Sequence, residues 1–345
     1  MKLSFPFEHH SQYQRGPNNL ITDVKGVKVG HVTLADGAIQ TGVTALLPGE
    51  EPFRRKRRAA CHVINGFGKS AGLMQVNELG QLESPIVLTN TLAVGVAWQA
   101  LCKWLVDNNP GLTSVNPIVM ECNDSYLNDI RSLHITERMV LEAIKAAGET
   151  FEQGAVGAGR GMVCHGLSGG IGSASRQTGI GDETYTVGVL VLSNHGLLRD
   201  LTLCGDRVEL LLQEKKEEEA QKQQALREVQ DQGSVIVILA TDAPLSHSQL
   251  NRVCKRAVAG LARTGAQIGH GSGEVVLAFS TANEIIHGDE SPLRTMTEMN
   301  ERYIDTVFRM TVAAVEEAVL ASLWYAQAVT GFEGHAVKAL GDFCR

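Results

Sequence analysis

A glycine-serine pair at the head of an apolar segment, Gly233-Ser234, is the part of this 345-residue chain richest in chemical possibility. It stands where a charged, Gln-rich run from Glu214 to Gln232 meets Val235-Ile236-Val237-Ile238-Leu239. If the Ser234 hydroxyl attacks the Gly233 carbonyl, the peptide bond becomes an ester, which water then hydrolyses. Ser234 emerges as a new N-terminus carrying a hydroxyl and a free α-amine. An α-amine has a reference pKa of about 7.7–8.0, against about 10.4 for lysine, so near neutral pH much of it is unprotonated and can accept a proton. Nucleophile and base then belong to one residue. A Gly-Ser pair before a strand is equally an ordinary turn, and the dipeptide alone does not choose between the two.

Such chemistry needs a scaffold that holds distant residues together. Strand-like apolar runs recur at 41–47, 59–64, 85–88, 117–122, 184–192, 234–240 and 274–279. Helical periodicity covers 92–106, 137–147 and 246–263, and the stretch 296–328 reads as two further helices. Alternating strands and helices suit a doubly wound sheet, but helices following paired strands suit a layered α/β sandwich equally. The segment 214–232 has too few apolar residues to offset its ordering entropy by burial, so it is expected to be an exposed linker. No other interior stretch reads as a linker, so the expectation is one domain over 1–345, interrupted by a cleavable loop.

Composition narrows the function. The chain is 43% hydrophobic and 20% charged, as expected of a globular protein with a substantial core, and its net charge of −7 argues against a nucleic-acid partner. The basic run Arg54-Arg55-Lys56-Arg57-Arg58 reads as a solvated loop. MKLSFPFEHH lacks the apolar core of a secretion signal, and no run of 18 apolar residues occurs, so a soluble, cytoplasmic protein is expected. Seven dispersed cysteines without a C-x-x-C pair fit a reducing compartment. Eleven histidines show no H-E-x-x-H, so neither a metal nor another cofactor is expected.

Beyond the dipeptide, GPNNLITDVKGVKVGH (16–31), VINGFGKSAGL (63–73), NPIVMECNDSYLNDI (116–130), GAVGAGRGM (154–162), GGIGSASR (169–176), VGVLVLSNHG (187–196), GSVIVILATDAPL (233–245) and GHGSGEVVLAFSTAN (269–283) occur in this order. On these segments the chain resembles the L-aminopeptidase/D-esterase family, the β-peptidyl aminopeptidases that mature by self-cleavage, nearly end to end. The resemblance implies an αββα sandwich of the N-terminal-nucleophile-hydrolase type, cut between Gly233 and Ser234 into 1–233 and 234–345. It implies an aminopeptidase acting through an acyl-enzyme on Ser234, with small peptides, amino-acid amides or esters as substrates, and a homotetramer of processed chains without membrane attachment.

Site roles follow from the same resemblance. Ser272 and Glu274 match the residues that assist the nucleophile, and Asn194 matches the asparagine that donates to the oxyanion. Tyr126 matches an active-site tyrosine whose hydroxyl donates to the acyl oxygen or helps proton transfer. An aminopeptidase must also hold its substrate's ammonium group, for which Asp124, with Glu121 nearby, is the candidate. Residue type alone reads Asn194 as a turn residue beside Gly196, 269–273 as a Gly-rich hairpin, and Asp124 as a local cap.

Rival classes fit less well. Gly66-Phe67-Gly68-Lys69-Ser70-Ala71 satisfies G-x-G-x-x-A after a strand, a common accident, but a P-loop would need glycine where Val63 stands. A dinucleotide fingerprint starting at Gly157 fails at Met162. A non-catalytic binding protein remains the reading if Ser234 is inert. Related self-processing amidohydrolases and acyltransferases, such as ornithine acetyltransferases and nylon-oligomer hydrolases, use threonine at the cut, so Ser234 favours the aminopeptidase branch.

Overall fold

The computed structural model describes residues 11–207 and 233–343, so the expected linker 214–232 lies outside the described residues. Two sheets make the framework. One has the order β1-β2-β5-β6, formed by β1 (Lys28–Asp36), β2 (Ile39–Leu47), β5 (Ile86–Asn90) and β6 (Ile118–Cys122). The other has the order β4-β3-β14-β13-β10-β9, from β3 (Arg55–Gly66), β4 (Gln81–Leu82), β9 (Gly170–Ile180), β10 (Glu183–Asn194), β13 (Ser234–Thr241) and β14 (Gly273–Ile286). Two-residue hairpins complete the strands: β7 (Val163–Cys164) with β8 (Leu167–Ser168), β11 (Thr202–Leu203) with β12 (Asp206–Arg207), and β15 (Val329–Thr330) with β16 (Ala336–Val337).

The apolar faces dictate the layering. Leu46, Ile86, Leu88, Ile118 and Met120 of the smaller sheet meet Leu190, Leu192, Ile236, Ile238 and Leu277 of the larger one in a core between the sheets. The outer face of the larger sheet packs on α4 (His247–Arg263) and α5 (Ile304–Trp324), and that of the smaller sheet on α2 (Val94–Asn108) and α3 (Glu137–Lys145). The short α1 (Leu73–Leu79) sends Val76 into the inter-sheet core. β13 is central and enclosed on both faces, which is why its sequence is an unbroken apolar run rather than an alternating one. Local signals set the helix starts: Ser246 and Gln249 form a reciprocal capping box on α4, and Thr136 caps α3.

Three sequence expectations change. The stretch 296–328 contains one α-helix, α5, preceded by a short 3₁₀ turn, because its apolar positions continue without a break signal through Trp324. The basic run is not a solvated loop: Arg55 to Arg58 open β3, Arg57 is buried, and Arg55 and Arg57 both bind Glu284 across the β14 ladder. β9 gave no strand signal because Gly, Ser and Ala fill most of its buried first half; a methyl on Gly172 would collide with the Ala318 carbonyl, so small residues here admit α5 against the sheet. Among the described residues, no helix is long and apolar enough to cross a membrane.

Candidate active site

Ladder register gathers residues from distant parts of the chain. β13 pairs antiparallel with β10 and parallel with β14, so its first residue, Ser234, has Asn194 on one side and Gly273 on the other. Ser272 and Glu274 flank Gly273 in sequence. Ser234 is buried, with 7% of its surface exposed. The Gly273 N–H donates to the Gly233 carbonyl oxygen at 3.1 Å, which fixes the carbonyl of the bond that Ser234 would attack. A methyl on Gly273 would stand 3.2 Å from Ser234 Oγ and 2.6 Å from the Phe67 carbonyl oxygen, so glycine there keeps the space beside the hydroxyl open.

Around this centre the polar groups are already engaged. Asn194 Oδ1 accepts from the Val163 N–H at 2.8 Å and its Nδ2 donates to the Asn123 carbonyl at 2.9 Å; the amide carries a second hydrogen besides. Ser272 is fully buried and its hydroxyl donates to the Gly269 carbonyl at 2.8 Å, so towards Ser234 it can only accept. Asn65 clamps the 269–272 turn by donating to the carbonyls of Gly269 (3.1 Å) and Ser272. Glu274 is buried at the start of β14.

The smaller sheet contributes the facing wall. Burial raises the Cys122 thiol well above its ordinary pKa, and Glu121, Glu274 and Asp124 add to the shift, so three buried carboxylates lie around this thiol. Glu121 Oε1 accepts from the Lys69 N–H at 2.8 Å and its Oε2 from the Thr91 hydroxyl, which ties it to the exposed loop Gly66–Lys69 that passes over Gly273. Asp124 has no exposed surface. Its Oδ1 accepts from Asn128 Nδ2 at 3.0 Å, and burial raises its pKa to about 6 despite the hydrogen bonds that oppose the shift. Its carboxylate is enclosed by Asn128 of its own turn and by Thr41 and Asn90 of the smaller sheet.

Of the expected site residues, the structure brings Ser234, Asn194, Ser272 and Glu274 together at the ends of three adjacent strands. Asn123, at the start of the 123–127 turn, touches this group through Asn194. Tyr126 is 46% exposed and stacks on His335 with ring centroids 4.4 Å apart, while His335 Nδ1 binds the Tyr126 carbonyl at 2.7 Å. Asn65 and Asn123 are absent from the sequence expectations because Asn65 donates from its side chain to backbone carbonyls and Asn123 accepts through its own carbonyl, pairings that residue type does not announce.

Sequence spacing also missed a cluster. Cys164, His165 and His195 are all buried, and each offers a ligand atom within 4.8 Å of the others. Motifs such as H-E-x-x-H lie on one element, whereas this group joins the β7–β8 turn to the residue after β10. Burial lowers the His195 pKa to about 3, with His165 adding to the shift, so its ring is neutral at ordinary pH.

With this geometry in view, comparison with known proteins is informative. The sequence matches peptidase family S58 over residues 19–337. It is 36% identical over 340 residues to the β-peptidyl aminopeptidase BapA of Sphingosinicella microcystinivorans, covering 94% of this chain and 86% of that protein. Among solved structures it is similar to the PH0078 protein from Pyrococcus horikoshii OT3, with a TM-score of 0.89, 46% identity, and coverage of 96% of this chain and 93% of that one. It is also similar to the L-aminopeptidase D-Ala-esterase/amidase from Ochrobactrum anthropi, described as a prototype serine aminopeptidase and a variant of the Ntn-hydrolase fold. There the TM-score is 0.85 and identity 33%, with the same coverage.

Proposed function

The chain belongs to peptidase family S58 and is a serine aminopeptidase of the N-terminal-nucleophile-hydrolase fold, and from that premise we propose that its nucleophile is Ser234, freed by cleavage of its own Gly233–Ser234 bond. The observation that carries this reading is the position of Ser234 at the head of β13, with the Gly233 carbonyl held by the Gly273 N–H and with Asn194 opposite. In self-cleavage, Ser234 Oγ attacks the Gly233 carbonyl carbon and the negative charge developing on its oxygen is met by the Gly273 N–H, a preorganised donor that costs no reorganisation. The C–N bond then breaks, leaving an ester and a free Ser234 amine; water hydrolyses the ester to a Gly233 carboxylate and restores the hydroxyl.

In turnover the same hydroxyl attacks the acyl carbon of a substrate, and the Ser234 amine takes its proton. Because the Ser272 hydroxyl hydrogen is committed to Gly269, Ser272 and Glu274 serve as acceptors that orient the amine rather than as the proton relay. Asn194 offers its second amide hydrogen to the oxyanion. The substrate ammonium is held by Glu121, whose carboxylate borders the Gly66–Lys69 loop, with Asp124 in the turn beside it. Tyr126, on the exposed side of that turn, contacts the substrate rather than Ser234.

Substrates on this reading are short peptides, amino-acid amides and esters with a free amino end. β-Amino-acid residues are included, given 36% identity to a β-peptidyl aminopeptidase over most of both chains. The working enzyme is a cytoplasmic homotetramer of processed chains. Mass spectrometry of products from a panel of α- and β-amino-acid amides, D-amino-acid esters and N-acylated analogues tests the assignment. Release of free amino acids from unblocked substrates is expected; preferential cleavage of the N-acylated set would favour an amidohydrolase instead.

A further inference from the structure

The Cys164, His165 and His195 cluster lies outside the peptidase machinery described above, yet it is built with care. Cys164↔Leu167 pairing closes the β7–β8 hairpin with a two-residue turn, His165-Gly166, in which both residues have left-handed φ, 50° and 72°. That geometry is ordinary for a tight hairpin but unusual for histidine. The turn is locked onto the end of β10 by the His165 N–H, which donates to the His195 carbonyl at 2.7 Å. Gly196, also left-handed at φ 81°, lies against the His165 ring, which any side chain at 196 would overlap.

The side chains converge within this frame. His165 Nδ1 is 3.1 Å from the Leu197 carbonyl. A carbonyl only accepts, so Nδ1 carries a hydrogen and Nε2 is the nitrogen left to bind a metal. Backbone support of this type is the usual device for orienting a metal-binding imidazole. His195 Nδ1 lies 4.0 Å from Cys164 Sγ, and the two imidazoles meet edge to face at 5.3 Å. His195 Nε2 is buried and has no hydrogen-bond partner among the described residues, in a side chain only 3% exposed.

We propose that Cys164, His165 and His195 form a binding site for one zinc-class divalent cation per chain. The Cys164–His195 pair has the dimensions for it. Zinc–sulfur and zinc–nitrogen bonds are about 2.3 and 2.0–2.1 Å, so a thiolate and an imidazole sharing an ion stand at most about 4.4 Å apart, and the present 4.0 Å lies inside that limit. One thiolate and two imidazoles select zinc or cobalt over calcium or magnesium, which prefer oxygen. On binding, the Cys164 thiol releases its proton to solvent and a metal–thiolate bond forms, with no change of oxidation state. The site stiffens the junction where cleavage occurs, since His195 directly follows Asn194 and a methyl on Gly233 would stand 2.5 Å from His195 Cα.

The test uses the purified wild-type chain stripped with chelator and titrated with cobalt(II). The expected result is one cobalt bound per chain with a thiolate-to-cobalt charge-transfer band in the near ultraviolet, displaced by zinc. Cys164→Ser should lose the band while Cys204→Ser, at an exposed site, keeps it. Circular dichroism of Cys164→Ser separates loss of a ligand from loss of the fold, and the wild-type titration stands without either variant. Absence of both stoichiometric metal and the band in wild-type protein would overturn the proposal, and so would a band that survives in Cys164→Ser.

Discussion

Adding a single methyl group at the cleavage junction is expected to slow self-cleavage by about a hundredfold. In Gly233→Ala the new Cβ would stand 2.5 Å from His195 Cα and nearer still to the Asn194 carbonyl oxygen, both backbone atoms of a strand end that cannot rotate away. Carbon atoms in contact settle at about 3.5 Å, so the junction must shift by about 1 Å. That shift moves the Gly233 carbonyl off the Gly273 N–H, now 3.1 Å away, and misaligns it with Ser234 Oγ. A misplacement of about 1 Å in a near-attack geometry typically costs about a hundredfold in rate. Intact-mass analysis of freshly synthesised chain over time measures the effect. Once cut, residue 233 is no longer bonded to the nucleophile, so enzyme assembled from two co-expressed fragments with alanine at 233 should keep its kcat. Wild-type maturation in Gly233→Ala would refute the reasoning, as would normal maturation with lost turnover.

Three further outcomes are expected. Asp124, held at about 6 by burial, binds its proton more tightly folded than unfolded, so stability falls as pH rises from about 4 to 6 and is flat above. Two units correspond to about 3 kcal/mol. Asp124→Asn in the uncut Ser234→Ala chain should therefore be stabilising by up to that amount at pH 7 and neutral at pH 4 by denaturant titration; a difference independent of pH would contradict this. Asn194→Ala should lower kcat by about a hundredfold with KM nearly unchanged. It should also lose about 2 kcal/mol of stability, because its amide holds the Val163 N–H and the Asn123 carbonyl; a raised KM with normal kcat would make Asn194 a substrate-binding residue instead. Glu121→Gln should raise KM for substrates with a free amino group by at least about tenfold, given about 1.5–3 kcal/mol for a charge-assisted hydrogen bond, and an unchanged KM would remove Glu121 from that role.

Much of the architecture could be read from sequence because its strands are enclosed. Continuous apolar runs such as 234–240 and 117–122 announce buried strands, and Ser246 announces its helix. β9 stayed hidden because close packing against α5 demands small residues, which carry no periodic signal. Ser234 stood out at its junction with the charged run, whereas Ser272, Glu274 and Asn194 were legible only through motif resemblance, yet strand register explains why these motifs belong together. Asp124 was named as the candidate for the substrate ammonium from its residue type, which says nothing about its enclosure, since its neighbours Thr41 and Asn90 come from other strands. The Cys164–His165–His195 group was missed because a turn and a strand end, 30 residues apart in sequence, have no shared period.

The central claim is that this chain frees its own nucleophile, and intact-mass measurement of the active wild-type protein tests it most directly. The account predicts two species, residues 1–233 and 234–345, whose masses sum to that of the uncut chain plus one water, with Ser234→Ala remaining a single inactive chain. A fully active preparation consisting of uncut chain would contradict it.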